Sequence, residues 1–185
     1  MIELKNVNGG YGKKQVLFNI CETINDGEIT SIIGPNGCGK TTLMRKIADM
    51  LLSRNDIRAA YMPQNYEEEM PFELNPVEYL CRVISDSSVS AEVKIRTYLG
   101  SVKFTPAEMA HPIGELSGGQ RAKLYFIGMI LLGADVLILD EPTRNLSPMT
   151  APVIRRIIAD FEGCVIAVTH DRKFIEEIGD MIFEM

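Results

Sequence analysis

The 185-residue sequence predicts an α/β protein in which a mostly parallel β-sheet is flanked by helices. Two observations lead to this prediction. Short apolar, β-branched segments alternate along the chain with segments of helical apolar spacing, which is the order of strands joined by crossover helices. In addition, a glycine-rich loop at 34–41 (GPNGCGKT) lies between a strand-like and a helix-like segment. Phosphate-binding loops occupy this position in α/β proteins.

The N-terminal third of the chain is predicted to contain four strands and one helix. Two strands at 2–7 and 16–24 enter the fold, with a turn region at Gly9 and Gly10 between them. The segment 28–33 is typical of a buried parallel strand, because it is short, apolar and β-branched. It is followed by a helix at 42–52 and by a strand at 57–62 that ends before Gln64.

The strand–helix alternation stops after Gln64. Residues 65–116 contain an acidic stretch and two predicted helices, at 76–85 and 90–99. Pro76 and Ser90 are residue types that favour the first turn of a helix. This block is therefore predicted to be a helical insert with no strand.

The alternation resumes in the C-terminal third. Helices are predicted at 118–132, 148–162 and 171–179, and strands at 135–140, 164–169 and 180–184. The sequence thus predicts a single domain over 1–185. Its core would comprise 1–64 and 117–185, and its helical subdomain 65–116.

Composition and charge exclude several classes of protein. The net charge of −6 gives no general attraction to nucleic acid or anionic lipid. Neither a signal peptide nor an apolar run of about 18 residues is visible, so the chain is not expected to enter a membrane. The four cysteines are scattered, which argues against a zinc site or disulfides and favours the cytoplasm. Basic pairs such as Arg155–Arg156 are expected to lie on solvated faces.

The glycine-rich loop predicts a nucleotide site that uses Mg²⁺. Glycine tolerates positive φ and lets backbone N–H groups approach phosphates closely. Lys40 would reach the β- and γ-phosphates, and the Thr41 hydroxyl would bind Mg²⁺. The helix after the loop would direct its positive N-terminus at the phosphates. The predicted binding residues here are Gly34, Asn36, Gly37, Cys38, Gly39, Lys40, Thr41 and Thr42.

A second candidate segment, 136–141, is an apolar strand that ends in two carboxylates. Ligands bind at the C-terminal edge of strands in open α/β sheets. Asp140 is predicted to hold Mg²⁺, directly or through water. Glu141 could orient and deprotonate the attacking water.

The order of these motifs resembles that of ATP-binding-cassette (ABC) ATPases. The motifs are Tyr11, GPNGCGKT, Gln64, LSGGQ at 116–120, LILDEPT at 137–143 and His170. The LSGGQ signature distinguishes this family from other phosphate-loop proteins. The resemblance implies that Tyr11 stacks on adenine, that Gln64 contacts Mg²⁺ and the attacking water, and that His170 contacts the γ-phosphate of ATP.

The LSGGQ signature lies at the start of a predicted helix, so it provides a second helix N-terminus that is suited to phosphate. Its predicted binding residues are Ser117, Gly118, Gly119 and Gln120. In ABC proteins this loop faces the γ-phosphate held by a different cassette. The resemblance therefore implies that the partner is a second ABC cassette, supplied by a homodimer or by another part of a longer chain.

Two segments resemble the ABC-F class of translation and ribosome-protection factors, and in particular its second cassette. They are THDRKF at 169–174 and RNLSP at 144–148. The short stretch between Thr41 and Gln64 implies a trimmed antiparallel β part. An ABC-F role would make the ribosome or its RNA a partner. The ATPase subunit of a membrane transporter, with a transmembrane subunit as partner, and another ABC role stay open.

One position departs from the family pattern. Ser147 occupies the place where most ABC cassettes have an aspartate in the segment that crosses the dimer interface. Serine can cap a helix that starts at Pro148, but it carries no charge. Two hypotheses therefore stand: an active ATPase, and a nucleotide-gated binding module with little turnover.

Overall fold

The computed structural model describes residues 1–11 and 14–185, with Tyr11 described by its backbone alone. Contacts between residues divide the chain into two compact units. Unit 1 comprises Met1–Gln64, Ala134–Arg144 and Arg155–Met185, and unit 2 comprises Asn65–Gly133 and Asn145–Ile154. Residues 117–133 and 145–154 thus group with the helical residues 65–116, whereas the sequence-based boundary placed them in the core.

Unit 1 contains both sheets. β1 (Ile2–Tyr11) and β2 (Lys14–Ile24) form an antiparallel pair. The other strands are β3 (Ile29–Ile33), β4 (Ala59–Met62), β5 (Val136–Asp140), β6 (Cys164–Val168) and β7 (Met181–Glu184). They form one parallel sheet in the order β4-β5-β6-β3-β7. The predicted parallel α/β sheet is confirmed.

The helices of unit 1 are α1 (Lys40–Leu52), α7 (Arg172–Ile178) and the part of α6 (Ala151–Ala159) that follows Ile154. One face of α1 packs on the sheets through Leu43, Met44, Ile47 and Leu51, all of them fully buried. Because β5 and β6 are buried over their whole length, their apolar residues hold the C-terminal ends of both strands in fixed positions.

Unit 2 is built from helices. They are α2 (Pro76–Val83), α3 (Val89–Ser101), α4 (Pro106–Ala110) and α5 (Gly118–Leu131), with 3₁₀ turns at Tyr66–Glu69 and Ile113–Glu115. Their common core includes Leu80, Ile95, Leu99, Leu124 and Ile127. Two of these residues, Leu124 and Ile127, belong to α5, which explains why that helix groups with the helical residues.

Three predicted boundaries differ from the structure. β1 continues through Gly9 and Gly10 without a turn, and a Cβ atom on Gly10 would lie 2.2 Å from the Lys14 carbonyl oxygen. Glycine is therefore used there for close strand approach. α3 begins at Val89, one residue before its predicted start, because Ser88 caps it: the Ser88 hydroxyl accepts the Ala91 N–H.

The third difference is the start of α6, at Ala151 instead of Pro148. Pro152 has no N–H to bond the Pro148 carbonyl, so a helix that started at Pro148 would lack this hydrogen bond, whereas Pro152 is tolerated in the first turn of α6. The Ser147 hydroxyl still acts as a local cap, since it accepts the Thr150 N–H at 3.2 Å.

No helix within residues 1–11 and 14–185 is long and apolar enough to span a membrane. The four cysteines, Cys21, Cys38, Cys81 and Cys164, are free thiols.

Candidate nucleotide site

The glycine-rich loop connects β3 to the N-terminus of α1. Gly37 and Gly39 adopt φ values of 83° and 104°, in the region that side chains other than glycine rarely enter. A Cβ atom on Gly39 would also lie 3.0 Å from the side chain of Leu17 and 3.1 Å from that of Val16. Glycine is therefore required at Gly39 both for its backbone angle and for the close packing of β2 on the loop.

Lys40 begins α1, and its ammonium group lies within the loop. The residue is only 8% exposed, and its Nζ donates hydrogen bonds to the carbonyls of Gly34 (2.7 Å) and Pro35 (3.0 Å). An ammonium has three donors, so one remains for a ligand. The positive charge is thus fixed at the helix N-terminus, where the helix dipole also favours an anion.

A cavity of about 350 Å³ in unit 1 contains most of the predicted site. This volume lies within the range of ligand pockets, about 300–1,000 Å³. The cavity is lined by Lys14, Val16, Asn36, Gly37, Gly39, Lys40, Thr41, Thr42, Gln64, Asp140, Glu141, Val168 and His170. The phosphate-loop residues, both carboxylates, the glutamine and the histidine of the predicted site therefore share one cavity.

Not every predicted residue lines the cavity. Cys38 and Gly34 belong to the loop, but the Cys38 thiol packs toward Gly34: a Cβ atom on that glycine would lie 3.0 Å from the sulfur. The side chain of Tyr11 falls outside the described residues. Lys14 and Val16, both on β2, were not predicted, because neither residue type at a strand start carries a nucleotide-binding signal by itself. Val168, the last residue of β6, also lines the cavity, whereas the sequence predicted only that it belongs to a strand.

Asp140 ends β5 and is 2% exposed. Neither of its carboxylate oxygens has a partner within hydrogen-bond geometry. Burial raises the pKa of Asp140, and the neighbouring Thr41 hydroxyl and then Arg45, Lys40 and Arg144 oppose that rise. A buried carboxylate without a partner is costly unless it binds a cation. The residues present therefore fit Mg²⁺, which prefers oxygen ligands.

The described residues contain no cluster of three or more His, Cys, Asp or Glu side chains that could hold a metal alone. At nucleotide sites Mg²⁺ binds through one or two carboxylates together with substrate phosphates and water. Thr41, Gln64 and Asp140 line the same cavity and provide a hydroxyl, an amide and a carboxylate for such a site.

Glu141 lies one residue beyond the strand, in a left-handed conformation with φ of 57°. Its N–H donates to the Val168 carbonyl (2.9 Å), and this bond ties the turn to β6. Non-glycine residues with positive φ carry strain that concentrates at functional sites. The side chain is 11% exposed, and its pKa is raised chiefly by burial, which the nearby His170 opposes.

His170 lies beside Glu141. The His170 N–H donates to Glu141 Oε2 at 3.3 Å, and His170 Nε2 is 3.4 Å from Glu141 Oε1. Both carboxylate oxygens therefore contact one residue, and the imidazole is half exposed within the cavity wall. The arrangement places a carboxyl group with a raised pKa directly beside an imidazole, and both are side chains that serve in general acid–base chemistry.

The signature residues belong to unit 2. Ser117 caps α5: its hydroxyl accepts the Gln120 N–H (3.3 Å), and the Gln120 side chain accepts the Ser117 N–H (2.8 Å). This reciprocal pair is a capping box. A Cβ atom on Gly119 would lie 2.6 Å from the Thr150 side chain, whereas one on Gly118 would meet nothing closer than 3.6 Å. Gly119 therefore allows the segment around Thr150 to contact the helix start.

Comparisons with known proteins agree with this geometry. The family described as "ABC transporter" matches residues 17–144. Over 193 residues the chain is 30% identical to ABC transporter F family member 5 of Arabidopsis thaliana, covering 100% of this chain and 28% of that protein. It is 31% identical over 182 residues to the ribosome protection protein VmlR of Bacillus subtilis, covering 95% of this chain and 32% of that protein.

The energy-dependent translational throttle protein EttA of Escherichia coli is 28% identical over 192 residues, with 100% of this chain and 34% of EttA covered. The chain thus spans about a third of the length of the curated relatives it matches. Among solved structures, the dimeric MJ0796, a bacterial ABC transporter cassette, superposes with a TM-score of 0.83 at 22% identity, covering 100% of this chain and 94% of that one. This likeness confirms the predicted fold.

Proposed function

Because this chain belongs to the ABC transporter family, we propose that it binds and hydrolyses ATP in the cavity of unit 1. The observation that carries the proposal is the buried Asp140 carboxylate, which has no hydrogen-bond partner and shares a cavity with Lys40, Glu141 and His170. A magnesium–nucleotide complex would supply a cation for the Asp140 carboxylate and phosphate anions for the Lys40 ammonium.

The phosphates of ATP bind to the loop. The backbone N–H groups around Gly37 and Gly39 surround them, and the Lys40 ammonium turns its remaining donor to the β- and γ-phosphates. Val16 and Lys14 line the same cavity on β2, so this strand would also border the ligand. Stacking of the adenine on Tyr11 stays a prediction.

Thr41, Asp140 and Gln64 are the residues that would hold Mg²⁺. When bound, the ion neutralises phosphate charge and orients the β- and γ-phosphates. Asp140 is well suited to this role because its carboxylate is buried at the cavity wall and because neither of its oxygens has a hydrogen-bond partner.

Glu141 acts as the general base. Its pKa is raised by burial, which makes it a stronger proton acceptor than a solvated glutamate at the same position. Gln64, which lines the same cavity, would orient the attacking water. His170, held on Glu141, contacts the γ-phosphate and keeps the glutamate side chain in one orientation.

The signature of unit 2 serves a second cassette. Ser117 is exposed at the N-terminus of the 14-residue helix α5, where free N–H groups favour a phosphate. We propose that two cassettes enclose ATP between the loop of one and the signature of the other. The dimeric form of MJ0796 supports this arrangement by analogy of fold.

Among ABC proteins, we propose an ABC-F role in association with the ribosome, as a cassette of a longer protein. Three relatives support it: an ABC transporter F family member, a translational throttle and a ribosome protection protein. Service as the ATPase subunit of a membrane transporter is the alternative. The likeness to MJ0796, at 22% identity, concerns the fold and does not favour the transporter role.

Hydrolysis and association can be tested separately. Phosphate release from Mg-ATP by the chain and by Lys40→Ala tests the enzymatic proposal, and equal rates would refute it. Co-sedimentation of Glu141→Gln with ribosomes tests the ABC-F role. We expect binding with ATP and none with ADP; absence of ATP-dependent binding, with ATP bound to the chain, would favour the transporter alternative.

A further inference from the structure

Arg155 is a buried cation of unit 1 for which the mechanism above has no use. Its side chain is 6% exposed, whereas that of the adjacent Arg156 is 84% exposed. The expectation that both lie on a solvated face is therefore wrong for Arg155. The helical period explains the difference, because Arg155 falls on the same face of α6 as the fully buried Ile158.

The Arg155 guanidinium binds two carboxylates of α7. Its Nη1 donates to Asp171 Oδ2 at 3.0 Å, and its Nε donates to Glu177 Oε2 at 2.8 Å. Asp171 caps the start of α7 and Glu177 lies in its last turn. A planar guanidinium can hold two acceptors in fixed directions, which a lysine cannot do.

Asp171 transmits this contact to the site. One of its oxygens, Oδ1, accepts the N–H groups of Lys173 (3.0 Å) and Phe174 (3.4 Å), while the other accepts from Arg155. The Asp171 N–H donates to the buried Thr169 hydroxyl at 3.0 Å. The N–H and both carboxylate oxygens of Asp171 thus form hydrogen bonds, so its side chain cannot rotate without breaking at least one of them.

His170 is the residue before Asp171, and its N–H and imidazole both contact Glu141. Two consecutive residues are thus held from two sides, His170 by Glu141 and Asp171 by Arg155. We infer that Arg155 is a positioning residue, which keeps His170 on Glu141 in the geometry that hydrolysis requires. This inference rests on the proposed function.

A positioning role differs from a merely structural one in what its loss changes. Displacement of a catalytic group by about 1 Å can cost about 10²-fold in rate, while the phosphate loop and Lys40 are untouched. Removal of the guanidinium should therefore lower kcat and leave KM for ATP unchanged. A structural defect would lower the amount of folded protein instead.

The test compares Arg155→Gln with the matched control Arg156→Gln, which removes the same group one residue along on an exposed side chain. We expect kcat to fall by about 10²-fold in Arg155→Gln and to stay at the parent value in the control. Arg155→Lys retains the charge, so its kcat should fall by a smaller factor. If Arg155→Gln does not fold, Arg155→Lys takes its place in the comparison.

A double substitution separates action through His170 from other effects. In a His170→Ala background, Arg155→Gln should cause no further loss of kcat. A loss as large as in the parent, or parent activity in Arg155→Gln itself, would overturn the inference.

A second readout does not depend on turnover. The chain has two histidines, His111 and His170, so the NMR signals of their rings can be assigned by substitution. In Arg155→Gln the His170 signal should move while the His111 signal stays in place. If the parent does not hydrolyse ATP, the proposed function fails and this signal decides: movement supports the positioning role, and an unchanged signal overturns it.

Discussion

Replacement of Asp140 by asparagine should make the chain more stable without nucleotide and less stable with it. The Asp140 carboxylate is buried and neither oxygen has a hydrogen-bond partner. A buried polar group without a partner costs about 1–3 kcal/mol. Because the amide of asparagine stays buried there too, we expect a gain near the low end, about 1 kcal/mol. For a chain of this size that raises Tm by roughly 2–4 °C.

The sign follows from the pKa of Asp140, which burial raises above its ordinary value. A carboxyl group with a raised pKa binds its proton more readily in the folded chain, so the parent gains stability as pH falls through the folded pKa and loses it as pH rises. The advantage of Asp140→Asn should therefore be largest at neutral pH. It should shrink as acidification protonates Asp140 in the parent.

Magnesium and ATP should reverse the order of the two proteins. A ligand at a hundred times its dissociation constant stabilises the folded state by about 2.7 kcal/mol, or roughly 5–10 °C at this chain length. The parent should show this gain. Asp140→Asn should lose most of it, because it lacks the charged oxygen that we assign to Mg²⁺.

Thermal unfolding in EDTA and in Mg-ATP measures both effects. Asp135→Asn is the matched control, since Asp135 directly precedes the same strand. Its pKa is lowered, chiefly by the hydrogen bond it accepts from the Arg58 N–H. That control should lose stability in EDTA and keep the full gain with Mg-ATP. A lower Tm for Asp140→Asn in EDTA, or a gain with Mg-ATP equal to that of the parent, would refute the reasoning.

Three further substitutions test other parts of the site. Lys40→Ala removes the cation held in the loop and should abolish measurable ATP binding by calorimetry; tight binding would contradict the assignment of the loop. Gly119→Ala forces a Cβ atom to within 2.6 Å of Thr150 and should cost about 1–3 kcal/mol of stability by overpacking, while Gly118→Ala should not; equal Tm values would contradict this. Ser117→Arg should retain ATP binding by the chain's own loop yet abolish ATP-dependent pairing on sizing; loss of ATP binding in the folded variant would count against a signature that serves the partner.

Much of the candidate site could be predicted because its chemistry is confined to short segments. The loop at 34–41, the carboxylates Asp140 and Glu141 and the imidazole of His170 each lie at the C-terminal end of a strand, and parallel strands bring these ends to one edge of the sheet. Element boundaries were less predictable where a single proline or cap decides them. Pro152 delays α6, and the capping box of Thr105 and Glu108 marks the short helix α4, which was missed.

What the sequence did not predict depends on contacts distant along the chain. Arg155 and Asp171 are separated by 15 other residues in the sequence, and nothing in an Arg–Arg pair indicates which member is buried. Lys14 and Val16 line the cavity from β2, a strand that packs on Gly39 through Val16 and Leu17. The assignment of α5 to unit 2 likewise depends on which helices share its apolar face.

The central claim is that Glu141 is the general base for ATP hydrolysis, and the single-turnover rate of Glu141→Gln tests it most directly. Glutamine keeps the size of the side chain and removes the proton acceptor, so the rate should fall by about 10²–10⁴-fold. ATP binding should be retained or strengthened, because a negative charge beside the γ-phosphate is lost. Hydrolysis by Glu141→Gln at the parent rate would contradict the account.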